Sequence, residues 1–270
     1  LMSNTTLHNE NVSVTLKSLG AELTSIKDTS GTEYLWQGNP EFWSGQAPVL
    51  FPIVGCLRNG TATIGDNKTC SFGRHGLARR LEFDLVSSSD TSITYSLKAN
   101  DKTKEQYPYD FELQMTYKLT EHGVKVSHTV INHDSVVMPY CVGGHPAFNC
   151  PVFENESFED YIVEFEQPEN AACAQLTEDG LINNADRVSV LENEAVIPVR
   201  HSLFYKDALV FDALKSRKVA LKHKKTGHGI LVSFPDFDYL GVWSSANDGP
   251  FVALEPWSGT STCSDEDDVF

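Results

Sequence analysis

Apolar and polar residues alternate with a period of two along most of the chain. In FELQMTYKL, Phe111, Leu113, Met115, Tyr117 and Leu119 fall on one face, because successive side chains of a strand point to opposite sides. After the turn TEHG, the residues Val124, Val126, His128 and Val130 repeat the pattern. The two runs predict an antiparallel hairpin with one buried face. EFDLVSSSDTSITYSL and KVALKHKKTGHGILVSF predict further hairpins around their own polar turns. CLRNGTATIG carries Asn59-Gly60, a pair that tolerates positive φ and signals a two-residue hairpin turn. No stretch sustains a helical period; DKTKEQYP and HSLFYKDAL have room for a turn or two each. There is no repeat, low-complexity tract or linker. The expectation is a single all-β domain over residues 1–270, built from two packed antiparallel sheets.

Against this alternation FVALEPW stands out. Pro256 biases Glu255 toward extended backbone, so Phe251, Ala253, Glu255 and Trp257 share one face of a strand. An acid beside two aromatics is poorly solvated, which raises its pKa and makes it a better proton acceptor. The plainer alternative is a strand-end glutamate paired with Lys or Arg. Other stretches also set a polar or aromatic residue among Gly, Pro and apolar neighbours. FPIVGCLRNG does so with Arg58, SFGRHGLARR with His75, YCVGGHPAFNCP with His145, and DYLGVWSS with Trp243, which alternates with Tyr239 and Gly241. Glycine beside such a side chain lets backbone or ligand approach closely. Taken singly, a surface arginine, a surface or satisfied core histidine and a core tryptophan are the usual readings.

Composition narrows the function classes. A formal charge of −16 over 270 residues opposes nucleic acid and anionic membrane surfaces, which need a basic face. The apolar runs are too short to span a bilayer and no signal-like segment opens the chain, so a soluble cytoplasmic protein is expected. Leu1 ahead of Met2 reads as a remnant of expression. The six cysteines lack any CxxC pair and are expected to be free thiols. G-x-S-x-G, P-loop, G-x-G-x-x-G and H-E-x-x-H motifs are missing. His122, His128 and His133 have no zinc-ligand spacing to a cysteine, and His223 and His228, flanking KKTG, are expected to face water. The acidic SDEDDV lacks the register of a calcium loop. No metal and no cofactor are expected.

Taken in order, LRNG, GRHG, GGHPAFN, YLGVW and LEPW resemble the aldose 1-epimerase (galactose mutarotase) family, and within it a shorter mutarotase-like branch. The likeness runs from about Leu16 to the C-terminus. It implies a large antiparallel β-sandwich, the galactose mutarotase-like supersandwich, with a sugar cleft across one sheet. By this resemblance Glu255 is the general base for the C1 hydroxyl and His145 the general acid at the ring oxygen. The ring opens to the aldehyde, the C1–C2 bond rotates, and reclosure gives the other anomer. Arg58 and His75 match ring-oxygen and hydroxyl contacts, Asp207 a hydroxyl-binding aspartate with Asp212 as the fallback, and Trp243 a platform for the apolar sugar face. Such chemistry needs an acid and a base with pKa values near working pH, and His145 is expected to be held protonated by a neighbouring carboxylate.

The implied partner is a small-molecule sugar, with a hexose 6-phosphate or a non-catalytic carbohydrate-binding sandwich as alternatives. Hydrolysis fits less well, since it typically needs two carboxylates and Glu255 is the one nominated. Arg74, Arg79 and Arg80 lie around His75, but the negative background favours a neutral sugar over a phosphate dianion. GRHG and GGHPAFN differ from the best-known galactose mutarotases around the histidines, which leaves the preferred sugar open. Because the family pattern continues through another strand after the glutamate motif, the sequence is expected to omit a tail.

Overall fold

The computed structural model describes residues 3–270; Leu1, read above as an expression remnant, and Met2 lie outside the described residues. Strand makes up 49% and helix 6% of the structure, in antiparallel sheets. The expected hairpin forms between Phe111–Leu119 and Val124–Asn132, in register from Phe111↔Asn132 to Leu119↔Val124. Its five alternating apolar residues on the first strand are buried, Phe111, Leu113 and Met115 completely. Asp84–Ser88 and Ser92–Lys98 extend the same sheet. Lys218–His223 and Gly229–Ser233 pair as the second expected hairpin.

A second sheet carries the residues of interest. Its strand order is Leu209–Phe211, Tyr239–Trp243, Phe251–Trp257, Gly143–Gly144, Val49–Leu50, with Ala147–Asn149 also paired to Phe251–Trp257. The period of two sorts its side chains. Val252 and Leu254 enter the main core beside Leu240, Val242 and the hairpin residues Phe111 and Leu113. On the opposite face, Phe251 and Ala253 pack with Trp36 and Ala147, while Trp257 packs with Leu50, Val54 and Val210. Glu255 falls between these two smaller clusters, on the face its spacing predicted.

Glycine is required on both sides of Trp257. A Cβ on Gly143 would lie 2.8 Å from indole Cδ1, and one on Gly241 2.5 Å from Cζ2. Gly241 pairs directly with Glu255 and Gly143 with Trp257, so the ring lies over bare backbone beside the carboxyl. Gly241→Ala is therefore expected to destabilise by about 1–3 kcal/mol through overpacking, lowering Tm by roughly 2–4 °C per kcal/mol for a chain of this size. A melting curve unchanged within a degree would contradict that packing.

Three details depart from the sequence reading. Asn59 and Gly60 do take φ of +58° and +73°, but the turn is a 3-10 turn, Arg58–Gly60, not a hairpin tip. The residues ahead of it bond the C-terminal segment instead, and the local hairpin is Thr61–Ile64 with Lys68–Ser71. His223 does not face water: its ring is buried and stacks on His228 at 5.2 Å. Its Nδ1 accepts from the Lys225 and Thr226 amides, and His228 Nε2 lies 3.0 Å from Glu156. Finally, Tyr161–Leu176 and Ile182–Pro198 form a long pair that alternation did not reveal. The short helix Asp101–Lys104 and the 3-10 turn His201–Phe204 occupy the two stretches with helical room, and all six cysteines are free.

Candidate active site

Glu255 is 1% exposed in the middle of its strand. His145 follows the Gly143–Gly144 strand, which pairs with the same strand as far as Trp257, and this brings its Nε2 to 3.2 Å from Glu255 Oε2. The approach is not itself a hydrogen bond: Glu255 Oε2, the oxygen facing His145, and His145 Nδ1 are both buried without a hydrogen-bond partner. Since buried polar atoms are nearly always paired, two such atoms in one place mark a position shaped for a ligand.

His75 completes the centre. GRHG turns through consecutive positive φ angles, +66° at His75 and +78° at Gly76, and a Cβ on residue 76 would meet the Phe51 carbonyl oxygen at 2.2 Å. The His75 amide donates to the Gly55 carbonyl at 2.7 Å, and the Gly55 amide donates to His75 Nδ1 at 2.9 Å. With Nδ1 accepting, the imidazole hydrogen is on Nε2. The ring stands edge-on to His145, centroids 5.4 Å apart.

Aromatic side chains wall the pair. Trp43 lies 4.9 Å from the His145 ring and Trp243 5.5 Å from it, and the two indoles meet edge to face at 5.2 Å. Asp207 adopts φ of +90°, takes the Ala208 amide on Oδ1 at 2.7 Å, and sets Oδ2 4.0 Å from Arg74 Nη1.

Burial dominates the electrostatics. It pushes the Glu255 carboxyl well above the usual range, and the charge of Asp207 adds to the shift. The same burial, helped by Arg79 and Arg74, drives His145 down to about 3, while His75 is lowered by burial and then by His145. The expected upward shift of Glu255 is present. The expectation of a protonated His145 runs against its downward shift, in which burial is the largest cause.

Glu255, His145, His75, Asp207 and Trp243 come together. Arg58 does not. Its guanidinium is engaged by Asp268 and by the Ser264 and Glu266 carbonyls, because the 3-10 turn it opens packs against the C-terminal segment. Asp212 is likewise committed elsewhere, 2.5 Å from Arg187. The arginines near the cluster are Arg74 and Arg79, both of which act on His75 and His145 and which the sequence reading placed near His75 without a role in the site. Trp43 was missed as well. Its sequence setting, EFWSG, is one more apolar run before a glycine, and only the fold brings it to residues a hundred positions away. Among the described residues no three His, Cys, Asp or Glu side chains converge as metal ligands, and no helix is long and apolar enough to cross a membrane.

The arrangement offers a proton donor, an acceptor, a fixed Nε2–H and flat apolar walls, the set a polyhydroxylated ring requires. Comparison with known proteins bears on the family. The aldose 1-epimerase family matches residues 3–266. The plasmid form of protein LacX from Lactococcus lactis subsp. lactis is 44% identical, over 97% of this chain and 90% of its own length. A galactose mutarotase related enzyme from Lactobacillus acidophilus superposes with TM-score 0.93 at 32% identity, covering 99% of this chain and 89% of that one. A galactose mutarotase-like protein from Lactobacillus casei gives 0.88 at 31%, covering 96% and 89%.

Proposed function

From the premise that the chain belongs to the aldose 1-epimerase family, we propose that it interconverts the α and β anomers of a free aldose, with Glu255 as base and His145 as acid. The observation carrying this reading is the buried pair 3.2 Å apart in which each partner keeps an unsatisfied polar atom. A glutamate and histidine serving only stability would be expected to satisfy each other fully.

The proton count supports the cycle. With a cyclic sugar bound, the working form is Glu255 carboxylate and His145 imidazolium. Glu255 takes the proton of the C1 hydroxyl, and the electrons of that O–H bond become the second bond of the C1 carbonyl. The C1–O5 bond breaks, its electron pair stays on O5, and His145 protonates that oxygen. Glu255 is then neutral acid and His145 neutral imidazole. Burial shifts each group in that direction. Rotation about C1–C2 and reversal of both transfers close the ring as the other anomer. His75 Nε2–H, Arg74 and Asp207 are the groups available for ring oxygen and hydroxyls, and Trp43 and Trp243 for the apolar faces.

A neutral sugar suits the site better than a phosphorylated one. Arg74 faces Asp207, and Arg79 Nη2 donates to the Arg74 carbonyl, so the basic cluster is partly engaged within the protein. The decisive measurement follows anomer exchange of freshly dissolved glucose, galactose and glucose 6-phosphate by NMR or polarimetry. Exchange of at least one neutral aldose well above the buffer rate is expected. A preference for the phosphate of about tenfold or more, weakened by salt as expected for charge steering, would overturn the neutral substrate but not the chemistry. No acceleration with any aldose would leave a carbohydrate-binding sandwich. We further propose that residues 1–270 form one working unit, a reading supported by a main core that runs from Leu7 to Leu254, and that the protein works in the cytoplasm.

A further inference from the structure

We propose that Arg58 is a positioning residue: through the C-terminal segment it holds the Gly55 peptide that fixes the tautomer and orientation of His75. The kinetic consequence rests on the epimerase reading above; the structural part stands apart from it.

The contacts form a continuous path. Arg58 Nε and Nη2 donate to the two carboxylate oxygens of Asp268 at 2.8 and 3.0 Å, Nη1 donates to the Ser264 carbonyl at 2.8 Å, and Nη2 also donates to the Glu266 carbonyl. One guanidinium thereby folds residues 264–268 over itself. The residues just before that segment, Ser261 and Thr262, grip the backbone from Cys56 to Arg58. Cys56 N–H donates to Ser261 Oγ at 2.9 Å, Thr262 N–H to the Cys56 carbonyl at 3.0 Å, and Arg58 N–H to Thr262 Oγ1 at 3.0 Å. Gly55 takes φ of +71°, and a Cβ there would lie 2.0 Å from Ser261 Oγ, so the peptide and Ser261 touch directly. From Gly55 the path ends on His75, through N–H to Nδ1 at 2.9 Å and the returning N–H to carbonyl bond at 2.7 Å.

His75 needs such a hold. A non-glycine residue at φ of +66° keeps that conformation only when its surroundings impose it. A neutral imidazole in a buried site has no charge to select its tautomer, so the Gly55 donor selects it. A forked guanidinium is well suited to such a hold, because it fixes carboxylate and carbonyls in one geometry, whereas lysine offers a point charge.

The test uses full-length protein with ¹⁵N-labelled histidine, read by NMR, beside anomer-exchange kinetics. Wild type is expected to show His75 as the Nε2–H tautomer. Arg58→Ala should mix the tautomers and raise the His75 pKa toward the ordinary 6.5. It should also lower kcat/KM by about tenfold or more, since a slightly misplaced group can cost up to 10²-fold. Arg58→Lys should fall between the two. Ser261→Ala removes one link without disturbing the guanidinium and should shift His75 the same way, less far; it decides the matter if Arg58→Ala does not fold. Arg217→Ala, which breaks a remote pair with Asp238 at 3.3 Å, is the control that lowers stability and leaves the His75 signals alone. Wild-type His75 tautomer and pKa in both Arg58→Ala and Ser261→Ala would overturn the proposal. A His75 response in a protein that exchanges no aldose would uphold it and reject the epimerase reading instead.

Discussion

Glu255→Gln and His145→Asn are each expected to reduce anomer exchange by at least about 10²-fold, the lower end of what one positioned proton transfer supplies. Each change removes one terminus of the proton path: Gln keeps the shape of Glu, and Asn, though smaller than His, keeps a polar group in its place. The loss should fall mainly on kcat, because Trp43, Trp243, His75 and Asp207 remain to bind the sugar. The double variant should be little worse than either single one, since the two groups act as a unit. Folded single variants that keep more than about a tenth of wild-type exchange would contradict roles of this size. The kinetic measurement should be paired with melting curves, so that lost activity is not mistaken for lost structure.

The same variants should reshape stability against pH. In the unfolded chain Glu255 and His145 titrate near 4.5 and 6.5. In the native pair the carboxyl is raised and the imidazole lowered to about 3. Between pH 4.5 and 6.5 the unfolded pair binds one proton, on histidine, and the native pair binds one, on Glu255. The slope from this pair is therefore zero. Below 4.5 the unfolded state binds two protons and the native state one, so stability falls as pH drops toward 3. Above 6.5 the unfolded state binds none and the native state still one, so stability falls as pH rises toward the native pKa of Glu255. Glu255→Gln should abolish the alkaline loss attributable to the pair, and His145→Asn the acid loss. Measured as ΔTm against wild type across pH 3 to 9, the two variants should diverge in opposite directions. A ΔTm flat with pH in both would mean the pair is not buried as a neutral couple.

Much of the fold was legible because its signal is local. Alternation in Phe111–Leu119 named the element and its buried face, and in Phe251–Trp257 the pleat named which residues share a face, although both of its faces are buried. The Tyr161–Leu176 and Ile182–Pro198 pair escaped for the same reason: register shifts at Glu164/Glu169 and Ala171/Ala172 break the period that alternation relies on. In the site, Glu255 was visible as an acid inside an apolar run, and His75 and His145 through the glycines their turns demand. Arg58 misled because a charge beside a turn looks the same whether it faces a ligand or a distant carboxylate, and Asp268 is 210 residues away. Trp43 was invisible because a tryptophan's partners are a property of topology. The protonation of His145 could not be read at all, since it depends on how deeply the assembled walls exclude water.

The position of Phe251–Trp257 in its sheet bears on how the chain is made. This strand lies between Tyr239–Trp243 on one side and Gly143–Gly144 and Ala147–Asn149 on the other, yet it is the last of these strands to leave the ribosome. Until it inserts, its future neighbours present open edges of the kind that pair with other chains. The nascent protein must therefore hold an unfinished sheet from the time Gly144 is made until Trp257 is. The residue proposed as base arrives on the element that closes that sheet, so a chain that stalls before Phe251 lacks the proposed base and leaves its central sheet unclosed.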